Sequence, residues 1–214
     1  MTHTQRLIAM AALSSWPLLL GAHGMSAQGQ AETQALFQQL QRRQTSGEAA
    51  AQLLKEGRND AKARQYLASH LPALIEADPR DPRPQWHDVM RLEWYNAVQL
   101  AANLKLGEAA PALAMWISYR TDQGVTGLSH DYSLQPNPAA LALVQIGDPA
   151  IPSLQGLLAH GKNIEPWLAA RALDLIGSPA AKSVLEDYVS HGQDRKLADF
   201  IRDELETERR NKAN

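Results

Sequence analysis

The chain has 214 residues, of which 44% are hydrophobic and 21% charged, a balance typical of a folded protein. Its formal net charge of −2 provides no basic field for a phosphate backbone, which argues against nucleic-acid binding. The sequence contains no cysteine, so disulfides, thiolate nucleophiles and thiolate-bound zinc are excluded.

The N-terminal residues 1–24 are predicted to be a secretory signal peptide. A polar stretch with one arginine precedes an almost unbroken apolar run over 7–20, and small residues follow. The apolar run is shorter than the roughly 20 residues that span a bilayer, so cleavage is favoured over an uncleaved anchor. Gly24, Ala27 and Gly29 are rival cleavage points. We therefore expect an exported protein, periplasmic or secreted, with no stable membrane insertion after cleavage.

The next region, 25–84, is predicted to be helical and to form either a degenerate repeat or a cap. Two of its helical stretches are expected to meet near Gly57, and Asn59 or Asp60 is expected to cap the later one. A proline-rich segment at 78–84 then interrupts regular hydrogen bonding. The helices are predicted over 32–45, 48–56 and 59–77.

A long amphipathic helix is predicted over 85–105, because apolar side chains recur there at helical spacing. Its stripe contains Trp86 and Trp94, and a third tryptophan, Trp116, follows. Large aromatic side chains can anchor a partner, but we expect these three mainly to fill the core.

The strongest signal is internal repetition. Residues 138–154 match residues 168–184 at nine of seventeen positions, at an offset of 30. A weaker copy covers 100–113 at an offset of 40. A thin helix pair cannot bury its apolar side alone but can do so against the next pair, so the repeats predict a stack.

Each repeat is predicted as helix, tight turn, helix. A glycine follows each apolar-periodic stretch, where a left-handed residue can end a helix without steric cost. The residue after it is a candidate N-cap, and a proline occupies the expected first helical position in the two clear copies. The turn residues are Gly107 in the weaker copy, and Gly147, Asp148, Pro149, Gly177, Ser178 and Pro179 in the clear copies.

Three segments, within about 97–192, resemble the short HEAT-like repeats of the phycobilisome-lyase type found in many bacterial proteins: LAANLKLGEAAPALAMWI, ALALVQIGDPAIPSLQGLL and ARALDLIGSPAAKSVLEDYV. The resemblance implies an all-α fold, a short α-solenoid of stacked antiparallel helix pairs over 85–192. A capping helix and tail are predicted at 193–214, and the buried side of this amphipathic helix is expected to contain Leu197, Phe200, Ile201 and Leu205. The family implies binding scaffolds and supplies no catalytic residue. Chromophore-lyase activity is not expected, because an exported protein would not meet that cytoplasmic substrate.

The extra residues between the weak and the first clear copy form an insertion at 121–136. Insertions between repeats become loops, often on the binding face, and tyrosine offers a large contact area at low entropic cost. The predicted binding residues are Tyr119, Arg120, His130, Asp131 and Tyr132.

Catalytic signals are weak. His87 and Asp88, with Glu93 further along, could form an acid–base set, but nothing supplies a nucleophile or oxyanion site beside them. The run at 129–131 contains Ser, His and Asp, yet triads are assembled from residues distant in sequence. We therefore predict no catalytic, metal or cofactor site.

The expected function is a non-catalytic scaffold whose partner is an unidentified protein or peptide lying along the second helices of the repeats. One alternative is an envelope hydrolase that uses carboxylates with His87 or His130. Another is a structural accessory protein without a discrete ligand.

Overall fold

A computed structural model describes residues 27–80, 90–121, 134 and 136–213. Within these residues the fold is all-α, as predicted, and the only β contact is an isolated antiparallel bridge between Arg80 and Met90. The predicted signal peptide lies outside the described residues. The helices are α1 Ala27–Leu40, α2 Ser46–Asn59, α3 Ala61–Glu76, α4 Leu92–Asn103, α5 Ala110–Ala114, α6 Pro138–Ile146, α7 Ile151–His160, α8 Glu165–Ile176, α9 Pro179–His191 and α10 Arg195–Ala213.

The turn between α2 and α3 lies at Asp60 and not near Gly57. Helix α2 runs through Gly57, which is buried, and a Cβ there would lie 2.8 Å from Cδ1 of Leu104. This glycine therefore makes room for the end of α4 and does not end a helix. The Asp60 carboxylate accepts hydrogen bonds from the backbone N–H groups of Lys62, at 2.7 Å, and Ala63, at 3.1 Å. Asp60, one of the two residues predicted to cap α3, is therefore the cap. The helix junction predicted near Gly57 is wrong.

The long helix predicted after the proline-rich segment begins only at Leu92. Met90 lies in the bridge with Arg80, and Arg91 is extended and donates its N–H to the carbonyl of Pro79 at 2.7 Å. These contacts hold the main chain in a conformation that a helix cannot adopt, so the prediction is wrong at 90–91. Its first residues, Trp86 and His87 among them, lie outside the described residues.

The turn glycines of the two clear repeats adopt positive φ angles, as predicted. Gly147 ends α6 with φ 81° and ψ −140°, and Gly177 ends α8 in the left-handed helical conformation with φ 64° and ψ 5°. In the weaker copy Gly107 instead opens a 3₁₀ turn, Gly107–Ala109, and the positive φ of 51° falls on Lys105. The prediction missed this change, because only a glycine was considered for the strained position.

The residues after the turn glycines behave differently in the two clear repeats. Ser178 caps α9 through its Oγ, which accepts the N–H of Ala181 at 3.2 Å, and Pro179 is the first helical residue. Asp148 makes no capping bond. It opens a 3₁₀ turn with Pro149, closed by Ala150 N–H donating to the Gly147 carbonyl at 2.8 Å. The tighter turn replaces a cap, so the capping role predicted for Asp148 is wrong. Pro149 lies in the first turn of this 3₁₀ helix, one residue after the position predicted for it.

The helices form two contacting rows. In one row α2, α4, α6 and α8 touch in that order, and α10 touches α8. In the other row α3, α5, α7 and α9 touch in that order, and each also packs on a helix of the first row. The N-terminal pair, α2 and α3, therefore packs in the same rows as the later pairs, a point the sequence had left open.

One continuous apolar core runs through both rows, from Phe37 in α1 to Leu205 in α10. Alanines on α6 and α8 are fully or nearly fully buried, which lets neighbouring helices approach closely. The amphipathic α10 buries Leu197, Ile201 and Leu205 against α8 and α9, with Phe200 half-buried. This packing matches the predicted buried side of the C-terminal helix.

Candidate binding surfaces

The predicted insertion is closed at its base by hydrogen bonds. Thr121 donates its backbone N–H to the Pro136 carbonyl at 2.8 Å, and its hydroxyl lies 3.2 Å from the same oxygen. Leu134 is buried, and its carbonyl accepts the N–H of Asn137 at 2.8 Å. The two ends of the insertion are therefore held together on the helical body.

Asn137 links the two ends of the insertion through its buried side chain. Its side chain is buried, and Nδ2 donates to the carbonyls of Ile117, at 3.1 Å, and Tyr119, at 3.2 Å. No sequence pattern predicts this role for Asn137. Its position before Pro138 is the only local signal, and that signal indicates a helix cap and not a contact across an insertion.

The last turn of α3, after which the connection to α4 begins, is bonded to two tryptophans. Trp94 is fully buried and its Nε1 donates to the carbonyl of Ile75 at 2.9 Å. Trp116 is half-buried and its Nε1 donates to the carbonyl of Glu76 at 3.3 Å. Both indoles thus satisfy carbonyls in the last turn of α3, which have no partner within the helix. The core role predicted for Trp94 is confirmed, whereas Trp116 is only partly in the core.

Tyr119 packs partly against one of these tryptophans, near the end of α3. Its ring packs edge-on against Trp94, with ring centres 5.6 Å apart, and the residue is half-buried. Burial raises the pKa of its phenol, and the negative charge of Asp78 raises that pKa further while Arg80 opposes it. Its neighbour Arg120 is exposed. The structure therefore gives Tyr119 a packing role that the prediction of a surface contact did not include.

Two ion pairs lie on this part of the surface, next to the aromatic side chains. The Arg80 guanidinium binds the Asp78 carboxylate, with Nε 2.8 Å from Oδ1, and this hydrogen bond holds the pKa of Asp78 below its usual value. Nε of Arg91 lies 3.0 Å from Oε1 of Glu93. Glu93, a member of the weak acid–base set, is therefore engaged in an ion pair. We call the surface formed by Asp78, Arg80, Trp116, Tyr119 and Arg120 the insertion face.

The other predicted site residues are not placed. His130, Asp131 and Tyr132 lie outside the described residues, as do His87 and Asp88. Two of the predicted turn residues, Gly107 and Pro149, lie against each other. A Cβ added to Gly107 would lie 2.7 Å from the Pro149 Cβ.

A cleft of about 590 Å³ lies at the opposite end of α3 from the insertion face. Arg64 and Gln65 of α3 line one side, and Lys105 and Glu108 of the next helix pair line the other. Pro149, from the pair after that, completes the wall. No sequence pattern predicts this cleft, because its residues come from helix α3 and two separate turns and form no motif. We call it the turn cleft.

A second cleft, of about 350 Å³, adjoins the first through the shared residue Gln65. Lys62, Tyr66 and His70 of α3 line it, together with Gln30 of α1. The rings of Tyr66 and His70 stack with centres 3.9 Å apart, and Nδ1 of His70 lies 2.7 Å from the Tyr66 carbonyl. Since a carbonyl only accepts, Nδ1 is the donor there. Burial raises the pKa of the Tyr66 phenol.

Comparison of the chain with models of protein families, with curated proteins and with solved structures found no match. In the described ranges, no three His, Asp or Glu side chains are grouped so that they could hold a metal ion. None of the helices there has both the length and the apolar character needed to cross a bilayer.

Proposed function

We propose that the protein is an exported binding scaffold, a short α-solenoid of HEAT-like helix pairs that holds a protein or peptide partner. The two rows of touching helices support the solenoid, as do the positive φ angles of Gly147 and Gly177 at the ends of their helices. In such a stack each pair buries its apolar side on the next, and a long solvated surface remains available.

The insertion face is the proposed contact surface. The single observation that carries this proposal is that two successive connections start from hydrogen-bonded bases at one end of the molecule. Asn137 bonds across the base of the insertion, and Trp94 bonds the start of α4 to the end of α3. Rigid bases of this kind reduce the entropy lost when loops meet a partner. Tyr119 and Arg120 lie at the base of the insertion, and His130, Asp131 and Tyr132 are proposed to complete the surface.

The contact surface can be tested by affinity capture from an envelope extract, using the full mature chain as bait. One variant replaces residues 122–133 with a short glycine linker, and a second carries Tyr119→Phe and Arg120→Ala. The control carries Arg195→Ala and Lys196→Ala on the exposed side of α10. A partner retained by the control and lost with both insertion-face variants supports the proposal. A partner retained by all three variants contradicts it.

Export needs its own test. The full chain is expressed in a Gram-negative host, and the mass of the protein recovered from the periplasm is measured. We expect a mature N-terminus between residues 25 and 30, produced by cleavage near Gly24, Ala27 or Gly29. Protein that stays in the cytoplasm with its first residues intact would contradict the proposed localisation.

A further inference from the structure

The turn cleft carries two cations that have no carboxylate partner in the part of the chain that the structure describes. Arg64 and Lys105 both line the cleft, from different helix pairs, and neither makes an ion pair with a described residue. Other described cations, Arg195 and Lys196 among them, also lack a carboxylate partner, but the turn cleft brings two such cations to one concave site that contains a single carboxylate, that of Glu108. The turn cleft is therefore a local positive site on a chain whose formal net charge is −2.

Between the two cations the cleft is lined by aliphatic groups and one amide. Ala61, Ala68 and Pro149 supply apolar surface, and Leu106 lies almost fully buried beneath them. The side chain of Gln65 offers both a donor and an acceptor, which suits the main chain of a bound peptide.

We infer that the turn cleft binds an acidic peptide segment, whose carboxylates pair with Arg64 and Lys105 while its main chain lies over the aliphatic surface. This inference deepens the proposed function, since it names the chemistry of a segment that the scaffold would hold. It concerns a surface separate from the insertion face.

The size and charge of the cleft favour a peptide over a compact anion. A volume of about 590 Å³ is far larger than a single phosphate or sulfate needs, and the carboxylate of Glu108 on the same wall would repel a dense polyanion. A peptide with spaced carboxylates can meet both cations and avoid Glu108. The adjoining cleft adds Lys62, reached through Gln65, so a longer acidic segment would find a third cation.

The experiment measures fluorescence anisotropy with a labelled peptide of alternating glutamate and alanine, at low ionic strength. Peptides with glutamine or lysine in place of glutamate serve as probe controls. We expect the mature protein to bind the glutamate peptide and neither control peptide. Replacing Arg64→Gln and Lys105→Gln together should weaken that binding about tenfold, because two charge-assisted contacts are lost while the aliphatic stems remain similar.

The protein control is the pair Arg195→Gln and Lys196→Gln, which removes one exposed arginine and one exposed lysine from α10. It should bind the glutamate peptide like the unmodified protein. Circular dichroism melting of each variant establishes that it folds. An equal loss in both double variants would mean that the peptide senses only overall charge, and would overturn the inference.

Unchanged binding in the Arg64→Gln, Lys105→Gln protein, or no binding by the unmodified protein, would overturn it as well. Inorganic phosphate that competes at the same concentration as the peptide would show an anion site without peptide preference, which contradicts the inference too. None of these results affects a partner captured through the insertion face, so the two proposals fail separately.

Discussion

Replacing Gly107 with alanine should disturb the contact between successive helix pairs. Gly107 opens the turn before α5, and Pro149 lies in the corresponding turn before α7. A Cβ on Gly107 would lie 2.7 Å from the Pro149 Cβ, whereas carbon atoms normally pack at about 3.5–4.0 Å. The new methyl group therefore overlaps its neighbour by roughly an ångström.

The overlap cannot be relieved by a side-chain rotation. The pyrrolidine ring of Pro149 is closed onto its own backbone, so its Cβ moves only if the turn moves. Relief requires that one helix pair shift against the next, and overpacking of this kind costs about 1–3 kcal/mol. We expect Gly107→Ala to lower the free energy of unfolding by that amount.

The assay is urea unfolding followed by circular dichroism, applied to a double-mutant cycle. The cycle contains Gly107→Ala, Pro149→Gly and the double variant. Because Pro149→Gly removes the Cβ that would be struck, the cost of Gly107→Ala should fall by about 1–2 kcal/mol in that background. The cycle cancels the separate effect of losing the proline from the turn.

A matched control is Gly156→Ala in α7. No atom lies within 4 Å of a Cβ at Gly156, and the residue is exposed. We expect this variant to gain about 0.5–1 kcal/mol from helix propensity. If Gly107→Ala were tolerated as well as Gly156→Ala, or if the cycle showed no coupling, the described contact between the turns would be wrong.

Three further outcomes are expected at the insertion face and at the buried residues beneath it. Trp94→Phe keeps most of the ring packing but leaves the buried Ile75 carbonyl without its donor, and should cost about 1–3 kcal/mol in urea unfolding; a neutral change would contradict that bond. Asn137→Ala should release the base of the insertion, so limited proteolysis within the insertion should become faster while cleavage elsewhere is unaffected. Asp78→Asn should lower the pKa of the Tyr119 phenol towards 10, because a negative charge that disfavours tyrosinate is removed; carbon-13 NMR of labelled tyrosine, assigned with Tyr119→Phe, measures it. The pKa of Tyr119 is raised in the folded protein, so folding is favoured while the phenol is protonated. This contribution to stability is complete below the unfolded-state pKa and is lost as pH rises through the folded-state pKa. The variant should therefore lose less stability than the parent on titration to high pH, and an unchanged or higher pKa would refute the assignment.

Local pattern was sufficient for most of the helices and for the turn glycines of the two clear repeats. Gly147 and Gly177 end their helices with positive φ, Ser178 caps α9, and α10 buries the predicted stripe. These features depend on residues within about one helical turn of each other, where backbone hydrogen bonding and the absence of a Cβ act directly. A window of sequence contains all that is needed to predict them.

The same local rules failed where another part of the chain decided the outcome. Gly57 was expected to end a helix but instead makes room for Leu104, and Arg91 was expected to be helical but is held by the carbonyl of Pro79. In both cases a contact with a residue far away in sequence overrides a local preference.

The binding surfaces show this division most clearly. Tyr119 and Arg120 were found from the position of the insertion, yet Asn137 was missed because its partners lie 18 and 20 residues away. Arg64 and Lys105 belong to no sequence motif. They line the same cleft only because α3 packs beside the turn that follows α4. The sequence alone therefore determined the helices, their repetition and most of their ends, because these follow from bonds within a turn. The tertiary structure alone decided which side chains share a surface, because that depends on the register at which one helix pair packs on the next.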